Sequence, residues 1–149
     1  MLVPAFIKYT RKGCVSTIRS ESMDKIKGLA RQYYVTDHWD SNGNLLPKGF
    51  PVRIPMTPST GPTCEPKLTP IPEWDKAGWG PLHFAITEHH RYAFEFWGNG
   101  LTGTEAVYTA RGYGDVDCDG EWSTWELRGS IDNEGSVKVI GPIIINQGE

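Results

Sequence analysis

The sequence predicts an α+β fold in which one long N-terminal helix packs against a four-stranded antiparallel sheet. Three observations lead there. No proline falls between Ala5 and Asp37, and in that stretch Met23, Ile26, Ala30 and Tyr33 recur at helical intervals. Prolines then crowd the middle of the chain, from Pro47 to Pro72. Beyond Pro81, RYAFEFW and three later segments read as strands separated by turn residues.

The elements follow in chain order within a single domain, 1–149. Residues 1–38 are assigned to the helix; Leu29 broadens its apolar stripe, and Ser20, Glu21, Ser22 and Asp24 lie opposite. From Ala5 to Asp37 such a helix would run ~50 Å at 1.5 Å per residue. That is longer than a globule of 149 residues is wide, so its basic first part, KYTRKGCVSTIRS, is expected to protrude. Residues 39–80 form a long αβ loop, because SNGN signals a turn and the prolines argue against regular helix or a central strand. Residues 81–149 form the sheet region. RYAFEFW puts Tyr92, Phe94 and Phe96 on one face and Ala93, Glu95 and Trp97 on the other. AVYTARGYG, STWELRGSI and SVKVIGPIII follow, divided by DVDCDG and DNEG.

Composition removes several classes of function. A net charge of −3 and a pI near 5.8 argue against a general nucleic-acid binder. The early apolar run LVPAFI is six residues, too short for an export signal or a membrane span. No nucleophile elbow, zinc-protease motif or phosphate-binding loop occurs, and Glu88, Glu95 and Glu105 form no recognisable acid–base pair, so no catalysis is expected. His89 and His90 are neighbours that a strand would send to opposite faces, so with His83 they are read as structural.

One stretch carries possible chemistry. DVDCDGEWSTWE, Asp115 to Glu126, has the ligand spacing of an EF-hand calcium loop without the flanking helices. On that reading Asp115, Asp117 and Asp119 supply carboxylates, Glu121 a carbonyl, Ser123 a direct or water-borne ligand, and Glu126 a closing carboxylate. A strand that turns Trp125 and Leu127 to the core would point Glu126 and Arg128 outward, which argues against the last ligand. The competing reading is a solvated hairpin whose Asp and Gly residues only supply turn geometry. Repulsion among three close carboxylates favours a cation. Cys14, Cys64 and Cys118 make an odd count with no zinc-type pair. A Cys64–Cys118 disulfide would pin the long loop; the alternative is two separate buried thiols, with Cys14 a small packing residue either way.

Three blocks, in order, suggest a family. VPAFIKYTRK resembles the stretch that follows the apolar stem of bacterial type IV pilins. IKGLARQYYVTDHWDSNGNLLPKGFP is similar to the end of the long helix and the following turn in one pilin subgroup. GYGDVDCDGEWSTWELRGSID looks like that subgroup's Asp-rich segment, with Trp125 where Phe is usual. The resemblance implies the pilin fold: helix, αβ loop from Trp39 to Trp79, and a sheet packed on the helix, with the Asp-rich loop joining two strands. It also implies an extracellular or periplasm-facing setting, which suits a disulfide. The chain opens at Met1-Leu2 and joins the pattern at Val3-Pro4, without the leader, the cleavage motif or the roughly twenty apolar residues of a pilin stem. Membrane contact, in the bacterial inner membrane before assembly, is therefore expected only through a stem outside this sequence.

The function that this implies is structural. The chain would be a subunit of a type IV pilus or related pseudopilus filament, serving adhesion, motility or secretion. Its partners would be other pilin subunits in a homo- or hetero-polymer, with calcium as a possible bound ion and no nucleic acid. A second reading is a secreted β-rich binding module, carbohydrate-directed through its tryptophans, with a structural calcium loop.

Overall fold

The computed structural model describes residues 21–115 and 117–146, and these form a mostly β domain. Helix α1, Met23–Val35, is 13 residues long. Its buried face is Met23, Ile26, Ala30 and Tyr34, so the expected stripe holds except that Tyr34 replaces Tyr33. Tyr33 is half-buried instead and stacks on His38, with ring centroids 4.0 Å apart. The helix ends before residue 38 for a local reason. Val35 and Thr36 are β-branched, Thr36 turns extended at ψ 136°, and its N–H and hydroxyl both donate to the Gln32 carbonyl. The expected helix from Ala5 to Ser20, Cys14 included, lies outside the described residues.

The expectation of a long helix on a four-stranded sheet is corrected on both counts. The described helix is short, and the sheet has five antiparallel strands in the order β1-β2-β3-β4-β5. These are β1 Arg53–Thr57, β2 Ala93–Gly98, β3 Tyr108–Gly114, β4 Ser123–Ile131 and β5 Val137–Asn146. The four segments read as strands from the sequence are β2 to β5. The added strand comes from the proline-rich 39–80 stretch, which also holds a short helix α2, Ile71–Ala77. Pro55 is tolerated in β1 because β1 is an edge, where a missing N–H breaks no second ladder. Its pairing with β2 shifts between Ile54 and Thr57, around that proline. The opposite edge is handled alike. In β5, Gly141 and Pro142 lie where the register to β4 shifts between Glu126 and Arg128. Two proline-broken edges discourage uncontrolled strand addition.

The sheet's inner face is an aromatic core. Trp74 and Trp79, fully buried, come from α2 and the turn after it. They stack in sequence onto Phe84, Phe94, Phe96 and Tyr108, with centroid separations from 4.8 to 6.4 Å. Phe50 bridges Tyr108 to Tyr34 of α1. The Trp79 indole N–H donates to Thr57 Oγ1 at 3.0 Å, and Trp74 donates to the Thr69 carbonyl at 3.2 Å. Buried indoles usually take such partners, whereas the Trp125 Nε1 has none among the described residues. Truncating either tryptophan to Ala should cost about 3–5 kcal/mol.

Candidate metal-binding loop and its disulfide

Strand β3 ends at Gly114, which pairs with Ser123 at the start of β4, so residues 115–122 form a loop closed by the ladder. Asp115, mostly buried at its base, folds the loop: Oδ1 accepts from the Asp119 N–H at 3.2 Å and Oδ2 from the Gly120 N–H at 3.1 Å. Its carbonyl accepts from the Cys118 N–H. Cys118 and Gly120 hold left-handed φ values of 63° and 84°. The chain therefore curls back over Asp115 instead of continuing the strand.

The curl gathers three carboxylates, Asp115, Asp117 and Asp119, with ligand oxygens within 4.8 Å of one another. Asp117 Oδ1 accepts from the Asp119 N–H, and Asp119 Oδ1 from the Glu121 N–H at 2.8 Å. Local desolvation and the neighbouring Asp119 carboxylate raise the Asp117 pKa, while the Glu121 N–H lowers that of Asp119. The group could hold a metal ion, and its oxygen-only donors suit a hard divalent cation.

The remaining candidates from the sequence are placed elsewhere. Glu121 is exposed next to the cluster. Ser123 is buried on β4, and its hydroxyl has no hydrogen-bond partner among the described residues. Glu126 lies on the outer face of the sheet, as alternation required, but it is buried there and engaged. Arg111 Nε donates to one carboxylate oxygen at 2.7 Å and Arg128 Nε to the other at 2.6 Å. That contact holds the Arg111 pKa above its usual value. Of the expected ligands, Asp115, Asp117 and Asp119 are brought together, while the Glu126 carboxylate is committed to the two arginines.

The disulfide is present. Cys64 and Cys118 are bonded, with Cα atoms 4.9 Å apart across a separation of 54 residues. It ties the proline-rich stretch to the Asp loop. A second fastening lies beside it, which the sequence did not signal: Trp122 packs over Gly61. A Cβ on Gly61 would come within 2.9 Å of the indole, and Gly61 also holds φ 83°. Trp122 meets Tyr113 edge-on at 5.7 Å. Burial pushes the Tyr113 pKa up to about 12, aided by its hydroxyl's contact with Glu95.

The six tryptophans are divided between core and surface. Trp74, Trp79 and Trp125 are core residues, Trp97 and Trp122 are half-buried, and Trp39 is exposed. Among the described residues no helix is long and apolar enough to cross a membrane. Fold and loop together define a mostly β domain with one helix across its sheet and a disulfide-pinned acidic loop at the sheet's end. The chain matches no protein-family model, no curated protein and no solved structure.

Proposed function

We propose that this chain is the head of a type IV pilin or pilin-like subunit, a structural protein of an extracellular filament. The supporting observation is the order of parts. A helix lies on an antiparallel sheet, a long intervening segment is pinned to the sheet by a disulfide, and the acidic loop joins two central strands. Of the three blocks that resemble pilins, VPAFIKYTRK lies outside the described residues, the second falls on the body and exit of that helix, and the third on that loop. The polymerising contacts belong to the N-terminal segment, and the sheet and loops are displayed outward. The Asp115, Asp117 and Asp119 cluster binds calcium, which relieves the repulsion among its carboxylates.

The test is assembly. The chain, placed behind a pilin leader and apolar stem, should be exported and recovered in sheared filaments of a host with a type IV pilus machine. Retention of a folded, processed protein in the membrane, never entering filaments, would overturn the reading.

A further inference from the structure

The outer face of the sheet, turned away from α1, carries a charge opposite to that of the whole chain. The register aligns Arg53, Trp97, Thr109, Arg128 and Ile140 in one row, and Glu95, Arg111, Glu126 and Ile143 in the next. Lys138, opposite Ser130 and two residues from Ile140, shares this face. Four cations thus meet two carboxylates, on a chain of net charge −3.

The carboxylates are turned inward and the cations outward. The side chains of Glu126 and Glu95 are 2% and 13% exposed, against 59% for Arg128 and 62% for Arg53. Glu95 takes the Tyr113 hydroxyl, and Arg53 reaches it only at 4.0 Å. Glu126 engages Arg111 and Arg128 through Nε, which fixes both guanidiniums without using the terminal amino groups of Arg128. Arg111 also lies 5.4 Å from the centroid of the half-buried Trp97 ring. Held this way, the guanidiniums lose little freedom when they take an anion, and planar pairing with carboxylate or sulfate is what guanidinium does best.

We propose that this face binds an acidic polysaccharide of the uronate type, with Trp97 against a sugar ring and Arg53, Arg128 and Lys138 taking its carboxylate groups. The small excess of positive charge suits spaced anions, whereas a dense polyanion such as duplex DNA would be repelled by the rest of an acidic chain. The inference does not rest on the filament reading, since it concerns only the folded sheet.

The test uses the full chain in titrations with polygalacturonate, dextran sulfate, neutral dextran and duplex DNA. Saturable, salt-sensitive binding to polygalacturonate, with one carboxylate per ring, is expected, and none to neutral dextran; dextran sulfate and duplex DNA, both dense polyanions, should bind more weakly. Arg128→Gln should weaken binding on the order of tenfold. Lys138→Gln, which touches no buried group, should weaken it less, and Trp97→Leu should also weaken it. Lys25→Gln, on α1, should leave it unchanged. No binding to polygalacturonate, binding of equal strength to DNA or dextran sulfate, or equal losses from Lys25→Gln and Lys138→Gln would overturn the proposal.

Discussion

Three turns in this chain start from an aspartate and rise through a left-handed glycine, and one of them gathers two further aspartates. At 132–136, Asp132 Oδ1 accepts from the N–H groups of Glu134 and Ser136, both at 2.9 Å, and Gly135 closes onto the Asp132 carbonyl. The turn at 40–44 repeats the pattern: Asp40 Oδ1 accepts from Asn42 and Asn44, both at 2.9 Å. One carboxylate suffices for such a turn. At 115–120, Asp115 does the same work for Asp119 and Gly120, and Asp117 and Asp119 are added beside it. Asp117 and Asp119 each accept a backbone N–H as well, and the Asp119 carboxylate adds to local desolvation in raising the Asp117 pKa. An aspartate–glycine spacing marks a turn, and three clustered carboxylates could in addition hold a metal ion. The second difference is anchorage, since only the 115–120 loop carries a disulfide.

The largest effect should come from removing that anchorage. Cys64→Ser combined with Cys118→Ser should cost about 2–5 kcal/mol, read from urea unfolding beside the oxidised wild type. A loss below about 1 kcal/mol would mean that Trp122 on Gly61 holds the loop alone.

Calcium comes next. At a free concentration about 100 times its dissociation constant it should add about 2.7 kcal/mol of stability. The thermal midpoint should rise for wild type and for Asp132→Asn, and not for Asp119→Asn. An equal rise in both variants, or none in wild type, would abolish the distinction between the two kinds of turn.

A pair of glycine substitutions sharpens the comparison further. Gly135→Ala meets nothing within 4 Å, so it should cost only the left-handed strain of about 1–2 kcal/mol. Gly61→Ala has the same strain plus the indole of Trp122 in its way. It should cost about 1 kcal/mol more, and equal denaturation midpoints for the two would show that Trp122 moves aside freely.

The smallest effect is in titration without added metal. Asp117, whose folded pKa is raised, contributes stability below its unfolded pKa of about 3.9 and loses that contribution as pH rises through the folded value. Asp40, lowered chiefly by the Asn44 N–H, contributes above its unfolded pKa and loses that as pH falls through the folded value. Carboxyl NMR should therefore show Asp117 titrating above Asp40, and calcium should bring Asp117 down. Asp117 titrating below Asp40 in metal-free protein would contradict the crowding argument.

Much of the fold was legible in the sequence where its signal is local. STWELRGSI is β4 residue for residue, and Met23, Ile26 and Ala30 form the buried face of α1. The Asp triad was legible because its members are close neighbours in sequence, as was the disulfide once the long loop needed a pin. The helix end at Val35 was less so, because it depends on a competition between helix propagation and the Thr36 contacts to Gln32. Strand β1 was hidden behind its proline, which is harmless only at an edge.

The sequence by itself determined the periodicities, period two in the segment that forms β2 and three to four for α1, since these arise from backbone geometry within a few residues. It determined the turn chemistry at Asp40, Asp115 and Asp132 for the same reason. Only the tertiary structure decided which residues meet across strands. Alternation sends Glu126 outward, and only the register of β4 on β3 sets it opposite Arg111 and makes it a buried anchor for two guanidiniums. That pairing joins residues 15 positions apart in the chain, and Trp122 finds Gly61 across a longer gap. No local pattern encodes either distance, because register is fixed by the whole sheet closing over its core.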